Sequence, residues 1–169
     1  KNNENDEEYS NLLFARRDIE EAIIPSNIKR IESFAFYECN NLKNIEFSEK
    51  STLEYIGKET FSNTSIKNIN IPKSVIEIGE RAFYWCRNLE TVSFSETSEL
   101  REFSKEIFFY SSIESLFIPR NIKEMKPGWC SFTLRLNNIS ISSENTHFLC
   151  LDDKLIFGKS SENSHEFDV

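Results

Sequence analysis

Ile24-Pro-Ser-Asn-Ile28-Lys-Arg-Ile31-Glu-Ser-Phe-Ala35-Phe36-Tyr-Glu-Cys39-Asn-Asn-Leu42-Lys-Asn-Ile45-Glu-Phe47 is the stretch that decides the fold, because the chain writes it twice. Shifted by 47 residues it recurs as Ile71–Phe94, and Pro25, Pro72 and Pro119 mark the same period. Laid over 72–118, residues 25–71 give 19 identities in 47, among them Ala35/Ala82, Phe36/Phe83, Tyr37/Tyr84, Cys39/Cys86 and Phe61/Phe108. Each unit splits again, since Ile28-x-x-Ile31…Phe36…Leu42-x-x-Ile45-x-Phe47 returns as Leu53-x-x-Ile56…Phe61…Ile66-x-x-Ile69-x-Ile71. The elementary repeat is therefore about 23.5 residues, inside the window in which each turn of a solenoid contributes one short strand to a parallel sheet.

One such turn cannot bury its apolar row alone. Stacked at about 4.8 Å per strand, identical anchors align into ladders, and the ladders form the core. Six strand segments follow: Ile19–Ile24, Leu42–Phe47, Ile66–Ile71, Leu89–Phe94, Ile113–Ile118 and Leu136–Ile141. In each, the first, fourth and sixth residues point inward, and the remaining three face out. The prolines sit just past strands, where a missing N–H ends a ladder.

The Ile-Pro-x-x-Ile-x-x-Ile-x-x-x-Ala-Phe-x-x-Cys-x-x-Leu-x-x-Ile-x-Phe pattern resembles the BspA-like (Treponema-type) leucine-rich repeat. The resemblance covers residues 19–141, and implies a leucine-rich-repeat solenoid with one parallel β-sheet of about six strands and a mostly irregular or short-helical convex side. It also implies a surface or secreted protein, as in host-associated bacteria and in parasitic protists such as trichomonads, with members implicated in adhesion to host cells or matrix. Residues 142–157 look like the hairpin interruption that separates repeat blocks in that family.

The expected organisation is 1–18, a polar loop and hairpin strand; 19–141, the repeats (25–71, 72–118 and a partial 119–141); and 142–169, a divergent terminal repeat, hairpin strand and polar loop. In the fifth repeat Lys126-Pro-Gly-Trp-Cys-Ser replaces the Ala-Phe block, placing Cys130 where Phe36 and Phe83 stand and Thr133 where Cys39 and Cys86 stand; local distortion is expected there. A longer period links the ends, since Lys1-x-x-Glu4-Asn5-x-x-Glu8-Tyr9 matches Lys159-x-x-Glu162-Asn163-x-x-Glu166-Phe167 at a spacing of 158. With no initiator Met and no basic-then-apolar leader, the 169 residues read as a piece of a longer modular protein. Leu12–Ala15 of one molecule is expected to pair with Leu155–Phe157 of another, building head-to-tail chains, or else both ends are expected to fold back on their own stack or remain mobile.

Composition excludes several functions. A net charge of −8 disfavours DNA, RNA and anionic membrane as partners. The longest apolar runs, such as Ala22–Pro25, fall far short of the roughly 20 residues a membrane helix needs. No glycine-rich phosphate loop, calcium-loop spacing or C-x-x-C is present, so no cofactor or metal is expected. His147 takes the place of Leu53 and Leu100 in a ladder, and His165 lies in the terminal polar loop; neither has a nucleophile at a recognisable spacing, and no enzyme is indicated. Cys39 and Cys86, two turns apart, should lie about 9–10 Å from each other, beyond disulfide reach, so Cys39, Cys86, Cys130 and Cys150 are expected to be free core thiols. Asn63-Thr-Ser and Asn138-Ile-Ser fit the glycosylation pattern, but no more often than chance supplies.

Recognition is expected on the outward side of the sheet. Its rows are Glu20, Glu21, Ile23; Lys43, Asn44, Glu46; Lys67, Asn68, Asn70; Glu90, Thr91, Ser93; Glu114, Ser115, Phe117; and Asn137, Asn138, Ser140. Five acids, two lysines and many amides and hydroxyls suit hydrogen bonding to a host or matrix protein or glycan, with Phe117 as the single aromatic anchor. Tyr37, Tyr84, Trp85, Phe109 and Tyr110 follow the core phenylalanines on the convex side and form a possible second surface. A structural spacer is the competing reading.

Overall fold

The computed structural model describes residues 9–152 and 155–158. Lys1–Glu8 and 159–169, and with them the match between the ends and His165, lie outside the described residues.

The chain winds as a β-solenoid. In order its strands are β1 (Asn11–Leu12), β2 (Glu21–Ile24), β3 (Arg30–Ile31), β4 (Asn44–Phe47), β5 (Tyr55–Ile56), β6 (Asn68–Asn70) and β7 (Glu77–Ile78). They continue with β8 (Thr91–Ser93), β9 (Glu102–Phe103), β10 (Ser115–Ile118), β11 (Glu124–Met125), β12 (Asn138–Ile141), β13 (Phe148–Leu151) and β14 (Leu155–Gly158). No helix forms among the described residues.

The six expected strands are all present as β2, β4, β6, β8, β10 and β12, and they pair in parallel. The pairing is uneven: β2–β4 and β10–β12 match over four residues and β6–β8 over three, whereas β8–β10 match over two and β4–β6 pack without ladder pairing. The single six-stranded sheet of the sequence reading is therefore split into β2–β4 and β6–β8–β10–β12. The cause is a shorter bend. Cys39-Asn-Asn-Leu42 and Cys86-Arg-Asn-Leu89 lead into β4 and β8, but Thr64-Ser-Ile66 and Ser111-Ser-Ile113 lead into β6 and β10 with one residue fewer. At those short bends a hydroxyl spans the gap: Ser65 Oγ donates to Asn40 O and Ser112 Oγ to Arg87 O, both at 2.6 Å. The 47-residue period is thus the period of strand pairing.

A second parallel ladder runs along another side. β1–β3–β5–β7 form one sheet and β9–β11 another, where the sequence implied a mostly irregular or short-helical chain. Each of these strands is two residues long and carries the second residue of the Ile-x-x-Ile element inward, so Ile31, Ile56, Ile78 and Phe103 are fully buried.

The third side is built from turns in which every second N–H reaches the next coil. Phe34, Phe36 and Glu38 donate to Lys58 O, Thr60 O and Ser62 O at 2.9–3.0 Å, while Ala35, Tyr37 and Cys39 bond back within their own turn. This aim is reached by left-handed residues at two positions per coil: Phe34, Glu59, Arg81, Glu106 and Gly128 at the first, Glu38, Asn63, Trp85, Tyr110 and Phe132 at the second, with φ from 50° to 74°. Non-glycine residues adopt that region at a steric cost. In the last coil the N–H groups of Gly128, Cys130 and Phe132 meet no acceptor among the described residues, because the chain leaves for an antiparallel hairpin of β13 and β14.

Phe36, Phe61, Phe83 and Phe108 stack through the centre with centroids 5.3, 5.4 and 5.7 Å apart. Stacked rings at nearly strand spacing add to the burial they provide. Cys130 ends this ladder, as its place in the fifth repeat predicts, and Trp129 fills part of the volume from a neighbouring position by stacking on Phe103 at 5.5 Å.

The expected hairpin forms within the chain. Leu155–Gly158 pairs with Phe148–Leu151, and Asn11–Leu12 pairs with Arg30–Ile31 in the first coil. Within one chain these ends therefore fold back as expected at Leu12 and Leu155–Phe157, whereas Leu13 and Phe14 lie outside any strand and are exposed.

Coils approach closely at Gly57 and Gly79, where an added Cβ would lie 2.3 Å from Ser33 N and 2.5 Å from Lys58 N. Backbone atoms cannot swing aside as a side chain can. Gly57→Ala should therefore cost about 1–3 kcal/mol in urea unfolding, and Phe83→Ala, which empties the centre of the ring ladder, about 3–5 kcal/mol.

Candidate functional site

The alternation of strand side chains places most of the expected rows in solvent. Lys43, Asn44, Glu46, Lys67, Asn68, Asn70, Ser93, Glu114, Ser115, Asn137, Asn138 and Ser140 are exposed, and Glu90 and Thr91 are half-exposed. Register sets Asn68 beside Thr91, Asn70 beside Ser93, and Ser115 beside both Thr91 and Asn138, so the rows form columns along the coil axis.

Phe117 differs from expectation. It is half-buried and packs against the core, opposite Ser140, and is no free-standing anchor. The exposed apolar side chain of this face is Ile23, at 75%.

Most charges on the face are matched. Glu20–Lys43 and Lys67–Glu90 approach to 3.3 Å, and Glu114 meets Arg135 at 2.5 Å. Such exposed pairs contribute little to stability, but they remove the free cations and most of the free anions from the surface. Glu21 accepts from Asn44 at 3.4 Å. What remains is a field of amides, Asn68, Asn70, Asn137 and Asn138, each with donor and acceptor capacity, with Glu46 as a carboxylate that has no ion pair among the described residues.

The convex aromatics also stack. Tyr84 lies 5.0 Å from Phe109, Trp85 5.6 Å from Tyr110, and Tyr110 5.4 Å from Phe132. Phe132, Leu134 and Arg87 belong to this surface; Phe132 and Leu134 escaped the sequence reading because the fifth repeat lacks the Ala-Phe block that marks the equivalent residues above it, and Arg87 because nothing in the repeat pattern distinguishes it from a solvated charge. Arg81 bridges Glu106 at 2.6 Å and Glu59 at 4.0 Å, so the first left-handed column carries alternating charge.

All four cysteines are free. Cys39 and Cys86 are buried as expected, whereas Cys130 and Cys150 are only half-buried, because the last coil has no complete neighbour to cover it. The Cys39 position is a column of small donors: Thr64 donates to Phe61 O at 2.9 Å, Ser111 to Phe108 O at 2.8 Å and Thr133 to Cys130 O at 2.5 Å. Cys86 Sγ reaches Phe61 O at 3.0 Å, and burial pushes its thiol up to about 11. His147 stands at the hairpin entry, its N–H donating to Asn145 Oδ1 and its Nδ1 3.2 Å from the Thr146 hydroxyl. Among the described residues no group of three His, Cys, Asp or Glu could hold a metal ion.

The BspA type leucine rich repeat region matches residues 7–133 in six copies, and the chain belongs to that family. The structure resembles the pneumococcal vaccine antigen PcpA at a TM-score of 0.78, with 30% identity over 83% of this chain and 34% of PcpA. It also resembles a leucine-rich repeat protein from Eubacterium ventriosum (TM-score 0.72, 23% identity, 85% of this chain and 37% of that one). A leucine rich cell surface protein from Faecalibacterium prausnitzii has the same fold (TM-score 0.65, 17% identity, 90% and 47%). Curated proteins give no significant match. The chain spans about a third of the length of the first two structures. The fold is one used typically as a non-enzymatic interaction scaffold.

Cys86 stays protonated in the folded protein well past the pH at which an unfolded thiol ionises, so folding stability linked to it is intact below about pH 8.5 and declines as pH rises toward about 11. Thiol labelling of the native protein at pH 8 should modify Cys150 and Cys130 first and spare Cys86; full labelling of all four without denaturant would contradict this burial.

Proposed function

We propose that this chain is a non-catalytic protein-interaction module of a repetitive surface protein, acting in adhesion to a host or matrix protein or glycan through the long-strand face. The observation that carries the reading is the exposed amide field of Asn68, Asn70, Asn137 and Asn138 on a face whose lysines are already paired. Amides in columns at strand spacing offer repeated weak hydrogen bonds, and repetition along an array raises effective affinity without a strong single site. Similarity to a vaccine antigen and to a cell surface protein supports display outside the cell.

Binding of the chain, alone and as a tandem of two copies, to host-cell surfaces and immobilised matrix proteins tests this reading. The tandem should bind more tightly, and Asn68→Ala with Asn138→Ala should weaken it about tenfold, as loss of about 1.4 kcal/mol of hydrogen bonding requires. Phe117→Ala should lower stability in addition, since the ring packs on the core. No binding in either form would favour a spacer.

A further inference from the structure

A groove lies beside the column of left-handed aromatics, at the bends that lead into the long strands. Trp85, Tyr110 and Phe132 occupy successive coils at φ of 57°, 59° and 61°. Their counterparts two coils and one coil before Trp85 are Glu38 and Asn63, and Asn tolerates this conformation far better than a bulky ring. Three consecutive aromatics where the backbone disfavours them are a local cost, and between the coils of Trp85 and Tyr110 stacking does not require it, because the buried phenylalanine ladder already joins those two coils. Strain kept in this way points to a task.

The rings are also exposed. Trp85 is 38%, Tyr110 41% and Phe132 56% accessible, and Leu134 beside them is 87% accessible. Together with Ser112, Arg87 and Arg135, the last two of these rings and Leu134 line a shallow cavity of about 420 Å³ that crosses three coils. The Arg87 guanidinium lies 4.4 Å from the Trp85 ring centre and 5.9 Å from that of Tyr110, and forms no ion pair among the described residues. Arg135 reaches Glu114 from the far wall.

We infer that this groove docks an acidic peptide segment carrying a leucine or aromatic side chain. Charge complementarity selects the acid: on a chain of net charge −8, an anionic partner is repelled generally, and here meets a guanidinium held against aromatic rings with its donors open. The apolar lining favours a peptide over a sugar. Tyr110 has Trp85 on one side and Phe132 on the other, and Trp85 has Tyr110 and Arg87 beside it, so Phe132, stacked on Tyr110 alone, carries the open ring face. That face lies beside the exposed aliphatic Leu134, which offers no hydrogen bond to a sugar hydroxyl, and the two fit an aliphatic or aromatic side chain while Arg87 takes a carboxylate. The site adjoins the long-strand face at the Arg135–Glu114 pair, but Arg87, Tyr110, Phe132 and Leu134 lie outside that face, so the two readings are tested by different residues.

The test is fluorescence anisotropy with the whole chain and a labelled octapeptide alternating glutamate with leucine and phenylalanine. Saturable binding is expected, weakened at least tenfold by Arg87→Gln and by Phe132→Asn and reduced by salt, with Asn138→Ala unchanged. A lysine-substituted peptide and hyaluronan oligosaccharides should neither bind nor compete. Because Asn suits the left-handed position, Phe132→Asn should hold the melting temperature while losing the peptide. The proposal is overturned by failure of the octapeptide to bind, by unchanged affinity in Arg87→Gln, by hyaluronan binding in its place, or by a Phe132→Asn protein that melts earlier yet binds as before.

Discussion

Everything in this molecule depends on hydrogen bonds that run from one coil to the next. A coil of about 23.5 residues has no hydrophobic interior of its own, and each contacts only its neighbours, so its amides and its apolar anchors must find partners in the same coil above or below. The chain meets that demand on three sides by different means. Long strands serve one side, two-residue strands a second, and alternating N–H groups in left-handed turns the third. Because all three ladders hold the same spacing, Phe36, Phe61, Phe83 and Phe108 fall into a single stack.

That constraint also explains the surface. The long-strand face repeats its side chains in columns, so opposite charges placed one coil apart neutralise each other, as Glu20 with Lys43 and Lys67 with Glu90 do. The amides are left exposed between the paired charges. On the convex side the same repetition stacks aromatics at the second left-handed position, and the loss of the Ala-Phe block in the fifth coil leaves Phe132 and Leu134 uncovered.

The period and the inward anchors were legible because each anchor recurs at identical spacing: Leu42, Ile66, Leu89 and Ile113 are all buried as read. The second ladder was not, since two-residue strands such as Arg30–Ile31 leave no alternation to detect. Left-handed Trp85 and Tyr110 were hidden because residue preference at that conformation points to Asn or Gly. The outward position of Phe117 follows from strand alternation, yet a large ring on a strand paired on both sides lies down over the core, and its exposure is decided by that packing and not by parity. Pairing in twos was visible as the 47-residue identity, but its physical content, one residue fewer before Ile66 and Ile113, emerged only with the register.

The uneven pairing of the long strands has a mechanical consequence. Tension along the axis loads the coils in series, and on the long-strand side the joints between β4 and β6 and between β8 and β10 resist with fewer ladder bonds than the joints between β2 and β4 or β10 and β12. Extension therefore concentrates at every second joint, and the coil yields on that side as a string of stiff two-turn links with hinges at a 47-residue spacing.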